Sequence, residues 1–299
     1  MYVANEVGVV SGINGVLIFP ADADGDAAYA ERINGGSFGQ ITGIAIDANR
    51  NVYVANGHMN IGIDWVAVYA AGAHGDNVAP IQTIQGGNTG IVATRGVAVD
   101  ANRNIYVANE GCGSFSCVSQ SGVLVFAAGA NGDVEPIRSI SGARTQIGTP
   151  EGIALDGASN VYVVNGTGVV VYAAGANGNV KPIQSISGSN TGLTAPTAIA
   201  VDPGGTIYVA NGGSSIDVFA PGASGNVAPA RTISGDKTGL ASVGVAVDAS
   251  GIAYSADEHG AKHGNLRVFA AGASGNVRPI QIISGRRTGL TRPRGIAVR

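Results

Sequence analysis

The densest group of ionisable side chains in this 299-residue sequence is Asp257-Glu258-His259, with His263 close behind. Carboxylates and imidazoles together supply the donors of a zinc or calcium site, or the base of a proton transfer. Glu6, His58, Asp257 and His259 are therefore the candidates for catalysis, and Asp257 with His259 the candidates for metal ligation. Calcium, magnesium or zinc is the cofactor such a set would call for. The plainer reading is that a loop histidine is solvated, and the His-x-x-x-His spacing carries weight only on a helix. Arg95 and Arg294 present the paired N–H donors that suit a carboxylate or phosphate, although Glu151 stands beside Arg95 in repeat order and would neutralise it. Trp65 could stack on a ring, or simply plug the strand it begins. Glu110, Glu258 and His263 complete the ligand-binding candidates. Cys112 and Cys117 share one loop and read as a local disulfide, which suits an extracellular or periplasmic protein.

Composition removes several alternatives. The net charge is −3, only 12% of residues are charged, and the lysines are Lys181, Lys237 and Lys262. That leaves no basic stripe for nucleic acid. No apolar run approaches the ~18 residues of a membrane-spanning helix. No signal peptide is seen, and Met1 lies directly on a strand motif, so an upstream leader is expected to have been removed. No Gly-x-Ser-x-Gly elbow, Cys-His pair or Walker loop is present. Gly86-Gly87-Asn88-Thr89-Gly90 follows a strand without opening a helix, and its counterparts around Thr191 and Thr238 mark it as a recurring connector.

Positioning falls to a repeat. Tyr53-Val54-Ala55-Asn56 recurs at Tyr106–Asn109, Tyr162–Asn165, Tyr208–Asn211 and Tyr254–Asp257, and it opens the chain at Tyr2–Asn5. A Gly-Ile-Ala-Ile-Asp motif precedes it, at Gly43, Gly96, Gly152, Ala198, Gly244 and, at the very end, Gly295–Arg299. A third segment ends in an aromatic (Phe19, Tyr69, Phe126, Tyr172, Phe219, Phe269), and a fourth reads like Pro80-Ile81-Gln82-Thr83-Ile84. Four short alternating strands per unit, repeated six times, predict an all-β, six-bladed β-propeller. The chain starts on strand two and stops after strand one, so the last strand should complete the first blade and remove an open edge. The expected single domain then divides into blade 1 (295–299 plus 1–42), blade 2 (43–95), blade 3 (96–151), blade 4 (152–197), blade 5 (198–243) and blade 6 (244–294).

The pattern Gly-Ile-Ala-Val-Asp followed by Asn-Ile-Tyr-Val-Ala-Asn resembles the NHL-type propeller repeat over the whole chain. The sequence departs from that family by mostly lacking the arginine ahead of the third strand's apolar core; Arg267 alone keeps it. Similar propellers include streptogramin lyases, peptide-amidating lyases, gluconolactonase-like hydrolases and many non-catalytic binding proteins. The enzymatic resemblance implies a divalent metal at the channel mouth, with Asp257, His259, Glu6 and His58 as ligands or base. Arg95 and Arg294 would then hold an anionic substrate group.

Positions that match between blades serve the fold, and those that differ are free to serve function. The loop after strand two is minimal in blades 4 and 5, and long in blades 6, 1, 2 and 3, which neighbour one another. The long loops carry His58, Asp64, Trp65, His259 and His263, and glutamate occurs at the same repeat position as Glu6, Glu110 and Glu258. Just before strand one stand Arg294, Thr42, Arg95, Glu151, Thr197 and Val243. The expected function is a monomeric binding scaffold with a small-molecule or protein ligand on the long-loop face. The alternative is a metal-dependent lyase or lactonase-like hydrolase acting at the same site.

Overall fold

The computed structural model describes residues 1–6, 15–35, 38–57, 64–111, 120–166, 168–258 and 263–298, with backbone only at 242–243. Six four-stranded antiparallel sheets form a six-bladed β-propeller. In blade 2 the strands run from the channel outward as Gln40–Ile46, Val52–Gly57, Trp65–Tyr69 and Gln82–Ile84. Blade 1 is assembled from both ends of the chain: Arg292–Ala297 pairs with Tyr2–Glu6, which continues to Gly15–Ile18 and Glu31–Ile33.

Second strands are buried on both faces, which is why they read as unbroken apolar runs such as Val52-Tyr53-Val54-Ala55. Their side chains join neighbouring blades into shared cores; Val107 and Phe126 of blade 3, for example, pack with Tyr53 and Val68 of blade 2. The recurring aspartate and tyrosine explain each other. Asp47 accepts from the Asn49 and Asn51 amides at 2.9 and 2.8 Å, and from the Tyr53 hydroxyl at 3.1 Å. Asp100, Asp156 and Asp248 take the hydroxyls of Tyr106, Tyr162 and Tyr254 at 3.3, 3.2 and 3.1 Å. Burial pushes the Tyr162 and Tyr254 phenols up to about 12, so these hydroxyls remain donors.

Each blade's outer edge is closed by its neighbour. The hairpin between the last two strands reaches back and bridges the preceding blade, as Gly132 does to Ile84 and Gly178 to Ile140. A side chain from the same hairpin then holds the preceding blade's glycine-rich connector. Asp133 accepts the Asn88 amide at 2.7 Å, Asn179 the Arg144 amide at 2.7 Å, and Asp26 the Arg287 amide at 2.8 Å. The connector amides that superficially suggest a phosphate loop are thus already hydrogen-bonded. His74, on one of these hairpins, is exposed and lies 2.8 Å from the Gly72 carbonyl.

Inner strands begin earlier than the repeat motif suggests, because pairing continues past a β-bulge. Ile41 faces Asn56 and Gly43 faces Ala55, so Thr42 has no partner opposite. The same shift skips Arg95, Glu151, Thr197, Val243 and Arg294. A bulge re-aims the side chain of its extra residue. The following glycine permits close approach between blades: a Cβ on Gly43 would lie 2.8 Å from the Gly96 Cα, and one on Gly244 2.6 Å from the Arg294 carbonyl oxygen.

Candidate ligand site at the channel mouth

The bulge residues meet at one end of the channel. Thr42, Arg95, Glu151, Thr197 and Arg294, with Gln40 and Ile41, line a cavity of about 140 Å³. Beneath it the channel narrows to a floor of Gly43, Gly96, Gly152, Gly244 and Gly295 with Ile44, Val97, Ile153, Ile199, Val245 and Ile296. Arg294 and Glu151 belong to blades 1 and 4, three places apart in a ring of six, and so face each other across the mouth.

Both arginines are already paired. Arg95 holds Glu110 through Nε at 2.8 Å and through a second, shorter contact from Nη2. Arg294 Nε donates to Glu6 at 3.1 Å. Glu258 bridges two guanidinium groups, 3.1 Å from Arg292 Nε and 3.2 Å from Arg294 Nη1. Arg292 lies two residues before the bulged Arg294 on the same strand, and Glu258 reaches both. The glutamates after strand two are therefore the counter-ions of the arginines before strand one. Arg292 was not singled out from sequence; its i, i+2 spacing from Arg294 was the available signal. These pairs are partly solvated, which keeps each one's contribution modest.

Glu151 differs. Its nearest described cation is Arg95 Nη1 at 3.9 Å, beyond hydrogen-bond reach. Burial raises its pKa, Arg95 pulls the other way, and Glu110 adds to the rise. The folded state therefore binds this proton more tightly than the unfolded chain. Ionisation costs stability as pH climbs from the ordinary glutamate range through the raised value. Glu151→Gln is expected to raise the melting temperature at neutral pH and to match the wild type at about pH 3, below both values; calorimetry across that interval checks the sign.

The remaining candidates separate from the mouth. Asp257 is fully buried, accepts from Ser255 Oγ at 2.5 Å, and forms an ion pair with Arg267. Its counterparts bond connector amides in the same place, Asn5 to Thr291 at 2.9 Å and Asn109 to Val92 at 2.7 Å. The ring of Asn and Asp at the ends of the second strands thus anchors the connectors between blades. Blade 5 solves the same spot with Asn211 donating to Asp217 at 2.8 Å. Trp65 stacks on Phe38 with ring centroids 6.0 Å apart and packs into the core of blades 1 and 2, the plug arrangement. Asp64 is buried on the Ala93 amide. His263 is half-buried. His58, His259, Cys112, Cys117 and the Val243 side chain lie outside the described residues. Among the described residues no three His, Cys, Asp or Glu side chains converge as a metal-ligand group.

A scan against protein families finds no match, and neither does a search of curated proteins. Solved structures do resemble the chain. A protein from Lactobacillus plantarum aligns with a TM-score of 0.60 at 17% identity, over 95% of this chain and 81% of that one. Hydrazine synthase from Kuenenia stuttgartiensis aligns with a TM-score of 0.50 at 14% identity, over 78% of this chain. This chain spans 64% of that synthase chain, slightly under two thirds of its length. At these identities the likeness is one of fold.

Proposed function

We propose that this chain is an NHL-like binding propeller, working as a monomer outside the cytoplasm, that holds a small molecule at the channel mouth. The observation that carries this reading is the 140 Å³ cavity lined by the bulge residues. Those residues differ from blade to blade, whereas the bulges that aim them recur in every blade. A cavity of that size admits a small ligand or one end of a larger one, with the remainder lying on the long-loop face. The external location rests on Cys112 and Cys117.

The lyase or lactonase-like reading asks Asp257 to serve a metal and the arginines to clamp an anion. Asp257 is committed to Arg267 and Ser255, and the arginines to glutamates. The described residues therefore favour binding over that chemistry.

The test is a fragment screen read by crystallography, run beside thermal melts with and without EDTA. Hits should cluster against Thr42, Thr197 and Glu151, and EDTA should leave the melting temperature unchanged. Hits confined to other surfaces would overturn the site. A melting temperature lowered by EDTA and restored by zinc or calcium would favour the metal-dependent enzyme, because a bound ion stabilises by linkage.

A further inference from the structure

We infer that Glu151 is a cation subsite: the mouth takes a ligand that presents a positively charged nitrogen, such as a primary ammonium. This rests on the mouth being the ligand site, and specifies its chemistry.

Blade symmetry carries the argument. Wherever a bulge residue is an arginine, its own blade supplies a glutamate after strand two: Glu6 for Arg294 and Glu110 for Arg95. Blade 4 places Glu151 at the bulge, and the position after its second strand is Gly166. Glu151 is thus the charged mouth residue whose blade supplies no opposite charge at the position after its second strand. The tally agrees. Among the described residues, Arg95, Arg292 and Arg294 face Glu6, Glu110, Glu151 and Glu258, which leaves one carboxylate in excess. Glu110 occupies Nε and Nη2 of Arg95, leaving the more distant Nη1 for Glu151.

A half-buried carboxylate with so little compensation has lost water without gaining a full partner. An entering cation restores that interaction in a site of reduced dielectric, where the attraction is stronger than in bulk water. The Thr197 hydroxyl lines the same cavity and has acceptor capacity for ammonium protons. One such carboxylate is too few for a divalent metal, which takes several oxygen ligands. A cavity near 140 Å³ is close in size to one that holds benzene, so one ring bearing an aminomethyl group suits it as a probe.

The experiment is an amide-resolved NMR titration with benzylammonium, benzyl alcohol, benzoate and calcium chloride. Benzylammonium should shift the Glu151, Gly152 and Thr197 amides, and benzyl alcohol and benzoate should not. In Glu151→Gln its affinity should fall by about tenfold, the loss of one charge-assisted contact. Glu110→Gln provides a second variant that spares the carboxylate. It frees Arg95 to pair with Glu151, and benzylammonium should again bind more weakly. Preference for benzoate would overturn the cation subsite while leaving the mouth as the ligand site. Silence of the mouth amides to every probe would overturn both. Unchanged affinity in Glu151→Gln, or a response to calcium alone, would overturn the ammonium assignment.

Discussion

Arg267→Ala is expected to unfold at a much lower urea concentration than the wild type, with a loss of about 3–5 kcal/mol. Asp257 is fully buried, and Arg267 supplies its counter-charge. Among the described residues, removing the guanidinium leaves the carboxylate with the Ser255 hydroxyl and the Ala241 amide, the latter at 3.4 Å. Burying a charge in that state is costly, whereas replacing both members of a buried pair need not be. The propeller itself contains the replacement. Blade 3 places Asn109 and Leu124 at these two positions, and blade 1 places Asn5 and Leu17. The double variant Asp257→Asn with Arg267→Leu should therefore recover most of the stability lost in Arg267→Ala. Urea melts of the single and double variants measure the coupling. A double variant no more stable than the single would show that the pair does more than compensate its own charges.

Deleting residues 292–299 is expected to abolish cooperative folding, with a loss exceeding about 4 kcal/mol, beyond the range of ordinary substitutions. Those residues contain the inner strand of blade 1, Arg292–Ala297. Without it, Tyr2–Glu6 loses its ladder from Ala297 to Arg292, and Ile296 leaves a core shared with Val3 and Leu17. Asn5 loses the Arg292 amide, and Glu6 loses Arg294. The result is an open strand edge inside the ring. A circular permutant separates the strand from its place in the chain. Joining Arg299 to Met1 through a short linker and opening the exposed connector between Arg286 and Arg287 keeps every strand. It should melt cooperatively near the wild-type temperature, since Tyr2 already faces Ala297. Loss of folding in the permutant as well would mean that chain order matters beyond the strand itself.

The fold was legible because its causes are local and repeated. Asn51 and Tyr53 lie within six residues of Asp47 and both donate to its carboxylate, so the pattern of residues and the structure are the same fact. The blade limits were less legible. The sequence motif begins at the glycine after each bulge, while pairing runs on to Gln40 or Arg292. The pairing of Glu6 with Arg294 was present in sequence only as a correlation: blades with arginine at the bulge also carry glutamate after strand two. Arg267 was visible as the one arginine kept ahead of a third strand's apolar core, and Asp257 as the aspartate where the other units carry asparagine, but nothing along the chain joined them. Ten positions along the chain separate the two, and the register Ser255 to Arg267 brings their side chains together.

The repeat alone therefore determined the number of blades, the strand count and the closure through the two ends. Those follow from backbone hydrogen bonding and apolar periodicity, which each unit states again. Tertiary structure decided which charges remain available. Six bulges turn Arg294, Thr42, Arg95, Glu151, Thr197 and Val243 out of the ladder, and ion pairs form or fail according to what neighbouring strands supply. Charge compensation depends on distance through space. That is why Asp257, one of the two metal candidates in the sequence, is held by an arginine in the core, and Glu151, read there as a neutraliser of Arg95, is the least compensated acid among the described residues of the mouth.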